Sequence, residues 1–116
     1  MSIPNHPFDR AAVIENLGGD EELFRQIAAM FVADWPETQA RLRRALQAGD
    51  AEVLRTAAHS VKGAVMNFAA EPAALAARTL EMACKAGDLT QAPAQVEALI
   101  QAIDEVAAAL VREIGA

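Results

Sequence analysis

The chain has 116 residues, 53% hydrophobic with only 4% aromatic and no tyrosine, which suits one domain and favours close-packed helices over a sheet. Its formal charge of −6 argues against general nucleic-acid binding, which relies on basic surface to neutralise phosphates. No stretch approaches the roughly 20 apolar residues that cross a bilayer, and no basic-then-apolar signal segment opens the sequence. The lone Cys84 has no disulfide partner within the chain, so a reducing, cytoplasmic setting is expected, with Cys84 as a small core residue.

Residues 1–7 read as an irregular tail, because Pro4 and Pro7 interrupt any helix. His6 lies there and is read as unconstrained. Asp9 can cap a short helix running to about Leu17, ended by Gly18-Gly19, with Val13, Ile14 and Leu17 laid across the rest as a lid. Asp20, Glu21 and Glu22 then suit the positive end of a helix dipole. From there an apolar stripe of Leu23, Ile27, Met30, Phe31, Trp35, Leu42 and Leu46 predicts a helix to about Ala48. Pro36 falls inside it and predicts a kink, or a break with a restart. Arg41, Arg43 and Arg44 are read as cations placed near that helix's C-terminus.

Ala48-Gly49-Asp50 is a stop followed by a new cap, and the same Ala-Gly-Asp at 86–88 marks a second turn between helices. The next helix is expected from Ala51 to Phe68 or Ala70. Glu71-Pro72 opens another, closed by Ala86-Gly87, and the last runs from Thr90 to about Ile114, with Pro93 in its first turn. Long helices joined by short connections give antiparallel neighbours. The expected fold is all-α: an antiparallel four-helix bundle with a short additional N-terminal helix, occupying 8–116. No Gly-rich phosphate loop, Cys/His metal spacing or Gly-x-Ser-x-Gly elbow is present. The paired Glu and Glu-x-x-His ligands that helical bundles use to hold metals are also missing.

Chemistry concentrates in Ala57-Ala58-His59-Ser60-Val61-Lys62-Gly63. Leu54, Ala57, Ala58, Val61, Val65 and Phe68 recur at the spacing of a buried stripe. At about 100° per residue that stripe centres roughly 150° from His59, so the imidazole faces water. Lys62, Gly63, Arg55 and Met66 share its strip of surface. Glycine in a helix interior costs about 1 kcal/mol relative to alanine, and this chain uses alanine freely. A glycine one turn from the histidine makes sense where a partner must approach the backbone closely. Neutral imidazole is a good nucleophile near pH 7, its unperturbed pKa being about 6.5. A phosphoryl group taken up there would place a dianion beside the Lys62 ammonium, and phosphoryl transfer is mostly positioning and electrostatics. With no base partner, metal cage or nucleotide site evident, the chain would supply an acceptor and borrow the remaining machinery.

Ala58-His59-Ser60-Val61-Lys62-Gly63-Ala64 resembles the His-x-x-Lys-Gly signature of histidine-containing phosphotransfer (HPt) domains, and the similarity spans the chain from about Phe8 to the last helix. The resemblance implies a carrier in a multistep two-component phosphorelay. It takes a phosphoryl group from an aspartyl phosphate on one response-regulator receiver domain and passes it to another. The implied roles are His59 as the phosphorylated residue, Lys62 as the phosphate-stabilising cation, and Gly63 as the point of close approach. By helical phase Glu52, Arg55, Met66 and Asn67 border the docking face, and the resemblance places Glu81 near the imidazole, orienting it. No cofactor or metal is expected on this chain; magnesium belongs to the receiver. A hybrid histidine kinase is the implied donor, the chain itself being a monomeric phosphocarrier without kinase or ATPase activity. Many members follow the motif with a Leu-Gly-Ala-like segment, where this chain has Phe68-Ala69-Ala70. The competing reading is a helical adaptor that binds a receiver or another signalling partner and is never phosphorylated.

Overall fold

A computed structural model describes residues 7–115. Its helices are α1 (Arg10–Asn16), α2 (Glu21–Ala48), α3 (Ala51–Met66), α4 (Glu71–Lys85) and α5 (Ala92–Ile114). Three of them begin in the same way. Asp9, Asp20 and Asp50 accept from the backbone N–H groups of Ala12, Leu23 and Val53 at 3.1, 2.9 and 3.1 Å, each cap worth about 1 kcal/mol. The proline openings of α4 and α5 use the position where a missing N–H costs nothing. Gly49 closes α2 in the left-handed conformation at φ +65°. Pro4 and His6 of the expected tail lie outside the described residues.

The four long helices form a closed ring of neighbours: α2 packs on α3, α3 most extensively on α4, α4 on α5, and α5 back on α2. Leu42, Leu54, Leu80, Leu99, Ile103 and Leu110 are fully buried between them. Cys84 is buried in the same core, where burial pushes its thiol pKa up and disfavours the thiolate. α1 lies over one end, with Val13 buried. Arg10 ties α1 down, bonding Glu21 and Glu113 at 3.0 Å each and resting its guanidinium over the Phe24 ring.

Several local expectations are corrected. α2 is one unbroken helix of 28 residues through Pro36. Proline removes a hydrogen bond there, but the turn is held from inside by Trp35, which is 7% exposed and donates its indole N–H to Asp104 Oδ1 at 2.7 Å. Leu23 and Met30 do not belong to the buried stripe: the contact face is Phe24, Ala28, Trp35, Leu42 and Ala45, and Met30 stands 65% exposed. Arg43 and Arg44 are not placed for the helix dipole. They pair with Glu97 and Glu37 at 3.3 and 3.1 Å, and the last turn of α2 holds no basic residue. α5 starts at Ala92, two residues after Thr90.

α3 also stops earlier than the apolar pattern suggests, at Met66. Ala69 adopts φ +51°, and the Ala70 N–H reaches back to the Val65 carbonyl at 3.2 Å. This is a left-handed helix ending with alanine where glycine is the usual residue. Phe68 continues the apolar spacing beyond the helix because it is the centre of an aromatic cluster, 6.5 Å from Phe24 and 5.3 Å from Phe31. Ala69→Gly should therefore stabilise the protein by about 1 kcal/mol, since an L side chain at positive φ is strained. Chemical denaturation of the two forms checks this, and an unchanged midpoint would mean the turn relaxes around alanine without cost.

Candidate functional site

α3 is pinned to the bundle by Leu54, Ala57, Ala58, Val61 and Val65, and the opposite side of the helix carries the strip of expected site residues. His59 is 68% exposed. Gly63 is exposed one turn further on, and a Cβ built on it would meet nothing within 4 Å. Met66 is 60% exposed and Asn67, the cap residue of α3, is exposed as well. Arg55 and Glu52 lie one and two turns before His59, paired with each other at 3.0 Å. All of the residues expected on this strip lie where helical phase puts them except Lys62, which leans off it toward α4 and is only 26% exposed.

The reason is Glu81. This residue of α4 places Oε2 2.7 Å from His59 Nδ1 and Oε1 2.7 Å from Lys62 Nζ. One carboxylate thus holds both the His59 and the Lys62 side chains of α3. The Lys62 ammonium, with a smaller contribution from His59, keeps the Glu81 pKa below the usual carboxylate range against the opposing effect of burial. A lowered pKa means the pairing contributes fully above the ordinary carboxylate pKa and is lost only as pH falls through the lowered value. At neutral pH Glu81 is ionised and can only accept, so the hydrogen on the neutral imidazole sits on Nδ1. Nε2 is left with its lone pair directed away from Glu81.

The other flank of α3 carries a feature that the sequence pattern does not announce. An open cavity of about 300 Å³ lies between α2 and α3, with Met30 and Asp34 on one side and Ala64 and Asn67 on the other. The one signal for it is Met30, an apolar residue whose position departs from the buried face of α2. Among the described residues no group of His, Cys, Asp and Glu is placed to hold a metal ion, and no helix is long and apolar enough to cross a membrane.

Comparison with known proteins agrees with this geometry. No curated protein sequence matched the chain. A solved structure did: the crystal structure of histidine-containing phosphotransfer protein B (HptB) from Pseudomonas aeruginosa PAO1 is similar with a TM-score of 0.87 and 32% sequence identity, over 98% of this chain and 97% of that one. The profile of the Hpt domain matches residues 26–109, a span that contains α3, α4 and nearly all of α2. With that profile over most of its length and this fold throughout, the chain belongs to the Hpt domain family, the histidine phosphotransfer proteins of two-component phosphorelays.

Proposed function

We propose that His59 Nε2 is the atom that carries the phosphoryl group, and that the chain moves it between receiver-domain aspartates. The observation that supports this reading most is the 2.7 Å contact between His59 Nδ1 and the ionised Glu81. It selects the tautomer with a free lone pair on Nε2, on an imidazole that a partner can reach.

In the accepting direction the Nε2 lone pair attacks phosphorus in line. The Nε2–P bond forms, the P–O bond to the aspartyl carboxylate breaks, and the electron pair leaves on that carboxylate. The proton stays on Nδ1, donated to Glu81, so the product is a phosphoimidazolium whose positive charge faces the Glu81 carboxylate. Passing the group on reverses these changes and releases neutral imidazole, and no proton has to move in either direction. Lys62 keeps two N–H donors beyond the one engaged by Glu81, available to the phosphoryl oxygens. Gly63 leaves the partner's backbone and aspartate room beside Nε2. Magnesium and the remaining catalytic groups come with the receiver, and this chain acts without a cofactor of its own. Receivers, including that of a hybrid histidine kinase, are the proposed partners. A plain adaptor has no use for an imidazole held in one tautomer, and no observation favours that reading.

The test is transfer from a phosphorylated receiver in the presence of magnesium. Phosphate should appear on this chain in acid-labile, base-stable form, and nitrogen-15 spectra should locate it on Nε2 of His59 with Nδ1 protonated. Base-labile phosphate, or none after the receiver has discharged to water, would refute the proposal.

A further inference from the structure

α3 carries two cations, and the chemistry above uses one of them. Glu81 draws the Lys62 ammonium and His59 Nδ1 to its two oxygens, at 2.7 Å each, so Lys62 stands on the Nδ1 side of the ring. Arg55 is placed differently. It lies four residues before His59, and helical side chains lean toward the N-terminus, which carries the imidazole over the turn that holds Arg55. The guanidinium is near α4 as well: burial pushes the pKa of the Cys84 thiol up, and the Arg55 charge pulls it back. Its ion-pair partner is Glu52, at 3.0 Å and 73% exposed, and an exposed pair three residues apart on a helix contributes little.

Loading changes the charge around the imidazole. When empty, the cluster of neutral His59, Lys62 and Glu81 is balanced. When loaded, the imidazolium and Lys62 face the Glu81 carboxylate and a phosphoryl dianion, which leaves one negative charge in excess. Resting on the reading of His59 as the acceptor, we infer that Arg55 is the holding cation of the loaded state: it leaves Glu52 when Nε2 is phosphorylated, pairs with the phosphoryl oxygens, and lengthens the life of the phosphohistidine. The exchange gives up an exposed single contact for a dianion, which a planar guanidinium meets with two parallel N–H groups. In loss to water, a water oxygen bonds to phosphorus and the Nε2–P bond breaks. The electron pair of that bond returns to Nε2, and dihydrogen phosphate leaves neutral imidazole behind. The transition state is loose and metaphosphate-like, so negative charge on the phosphoryl oxygens falls as the bond to nitrogen breaks. A cation paired with those oxygens therefore stabilises the loaded state more than the transition state, and the loss slows.

The experiment loads the whole chain with phosphoramidate, a small donor that needs no docking surface, removes the donor, and follows the remaining phosphate by intact mass at neutral pH. Arg55→Ala should lose its phosphate about fivefold faster than wild type, equivalent to about 1 kcal/mol. Arg55→Lys should fall between the two, an ammonium having no fork. Glu52→Gln keeps Arg55 and removes its competitor, so the phosphate should last about twofold longer. Arg112→Ala, which removes an exposed cation of α5, controls for net charge and should match wild type. In nitrogen-15 spectra of the wild-type chain the Arg55 guanidinium signals should move on loading.

An Arg55→Ala lifetime within about 1.5-fold of wild type would overturn the proposal, as would a shortened lifetime for Glu52→Gln. Normal lifetimes combined with slowed loading from a receiver would also overturn it, making Arg55 a docking residue only. Should Arg55→Ala fail to fold, Glu52→Gln and the guanidinium signals decide it alone. Failure of the acceptor reading looks different: phosphoramidate would then label His59→Gln as fully as wild type.

Discussion

His59→Gln should fold like the wild-type chain and take up no phosphoryl group from any donor. The stability half of this expectation rests on exposure. The imidazole is 68% exposed and contributes nothing to the core, and substitutions at such positions usually stay within about 0.5 kcal/mol. Its partner Glu81 is not stranded, because Lys62 still holds the carboxylate at 2.7 Å. A glutamine amide can also donate to the oxygen the imidazole leaves behind. Melting followed by circular dichroism should therefore shift by no more than about 3 °C. The functional half rests on chemistry, since an amide nitrogen offers no lone pair for in-line attack on phosphorus. Intact mass after incubation with a phosphorylated receiver reads the outcome directly. A full phosphoryl load on the variant would place the acceptor elsewhere, His6 being the other histidine of the chain.

Gly63→Gln should separate stability from transfer in the opposite sense to a core substitution. A side chain at position 63 enters open space, with nothing within 4 Å of the new Cβ, and the backbone there is ordinary helix. Alanine should raise helix propensity by up to about 1 kcal/mol, with glutamine close behind. Both variants should melt at or above the wild-type temperature. Receiver-dependent transfer should fall with side-chain size, because each added atom holds the receiver's aspartyl phosphate further from Nε2. In-line transfer requires the reacting atoms at about 3–3.5 Å, and a misplacement of about 1 Å costs on the order of 100-fold. Glutamine should approach that loss and alanine should fall between it and wild type, while phosphoramidate labelling is spared. Normal receiver-dependent transfer by Gly63→Gln would remove close approach as the reason for glycine here. Unfolding would show that the position is packed after all.

The substitution at position 69 bears on how the site end of α3 is built. The HPt resemblance leads to glycine at this point, and the chain has alanine at φ +51°. The turn forms regardless because the residues on either side of it are secured: Ala70 is buried, and the Phe68 carbonyl accepts from the Asp9 N–H at 3.3 Å. Local strain of this size is tolerated when the surroundings determine the turn independently.

Helix caps, turns and the outward face of His59 were legible in the sequence because each depends on residues within a turn or two of one another. An aspartate before a helix accepts from the N–H three residues on, and helical phase needs only the spacing of Leu54, Ala58, Val61 and Val65 to say which way residue 59 points. The same locality explains the errors. Helical periodicity admits Leu23 and Met30 to an apolar stripe, but the rotation of α2 about its axis is set by what α3 and α5 offer it, and small Ala28 and large Trp35 fit where Met30 does not. Pro36 argues for a break only until Trp35 is anchored to Asp104, far along the chain.

The site divides along the same line. His59, Lys62 and Gly63 stand together through the geometry of a single helix, and the sequence by itself determined that much. Glu81 was named only through the family resemblance, and its grip on both His59 and Lys62 depends on the axial offset between α3 and α4, which no periodicity within either helix specifies. The cavity beside Asn67 is lined jointly by α2, α3 and Ile103 of α5. Distances between helices are settled by side-chain volumes summed over the whole core, so the tautomer of His59 and the recess next to it were decided by tertiary packing alone.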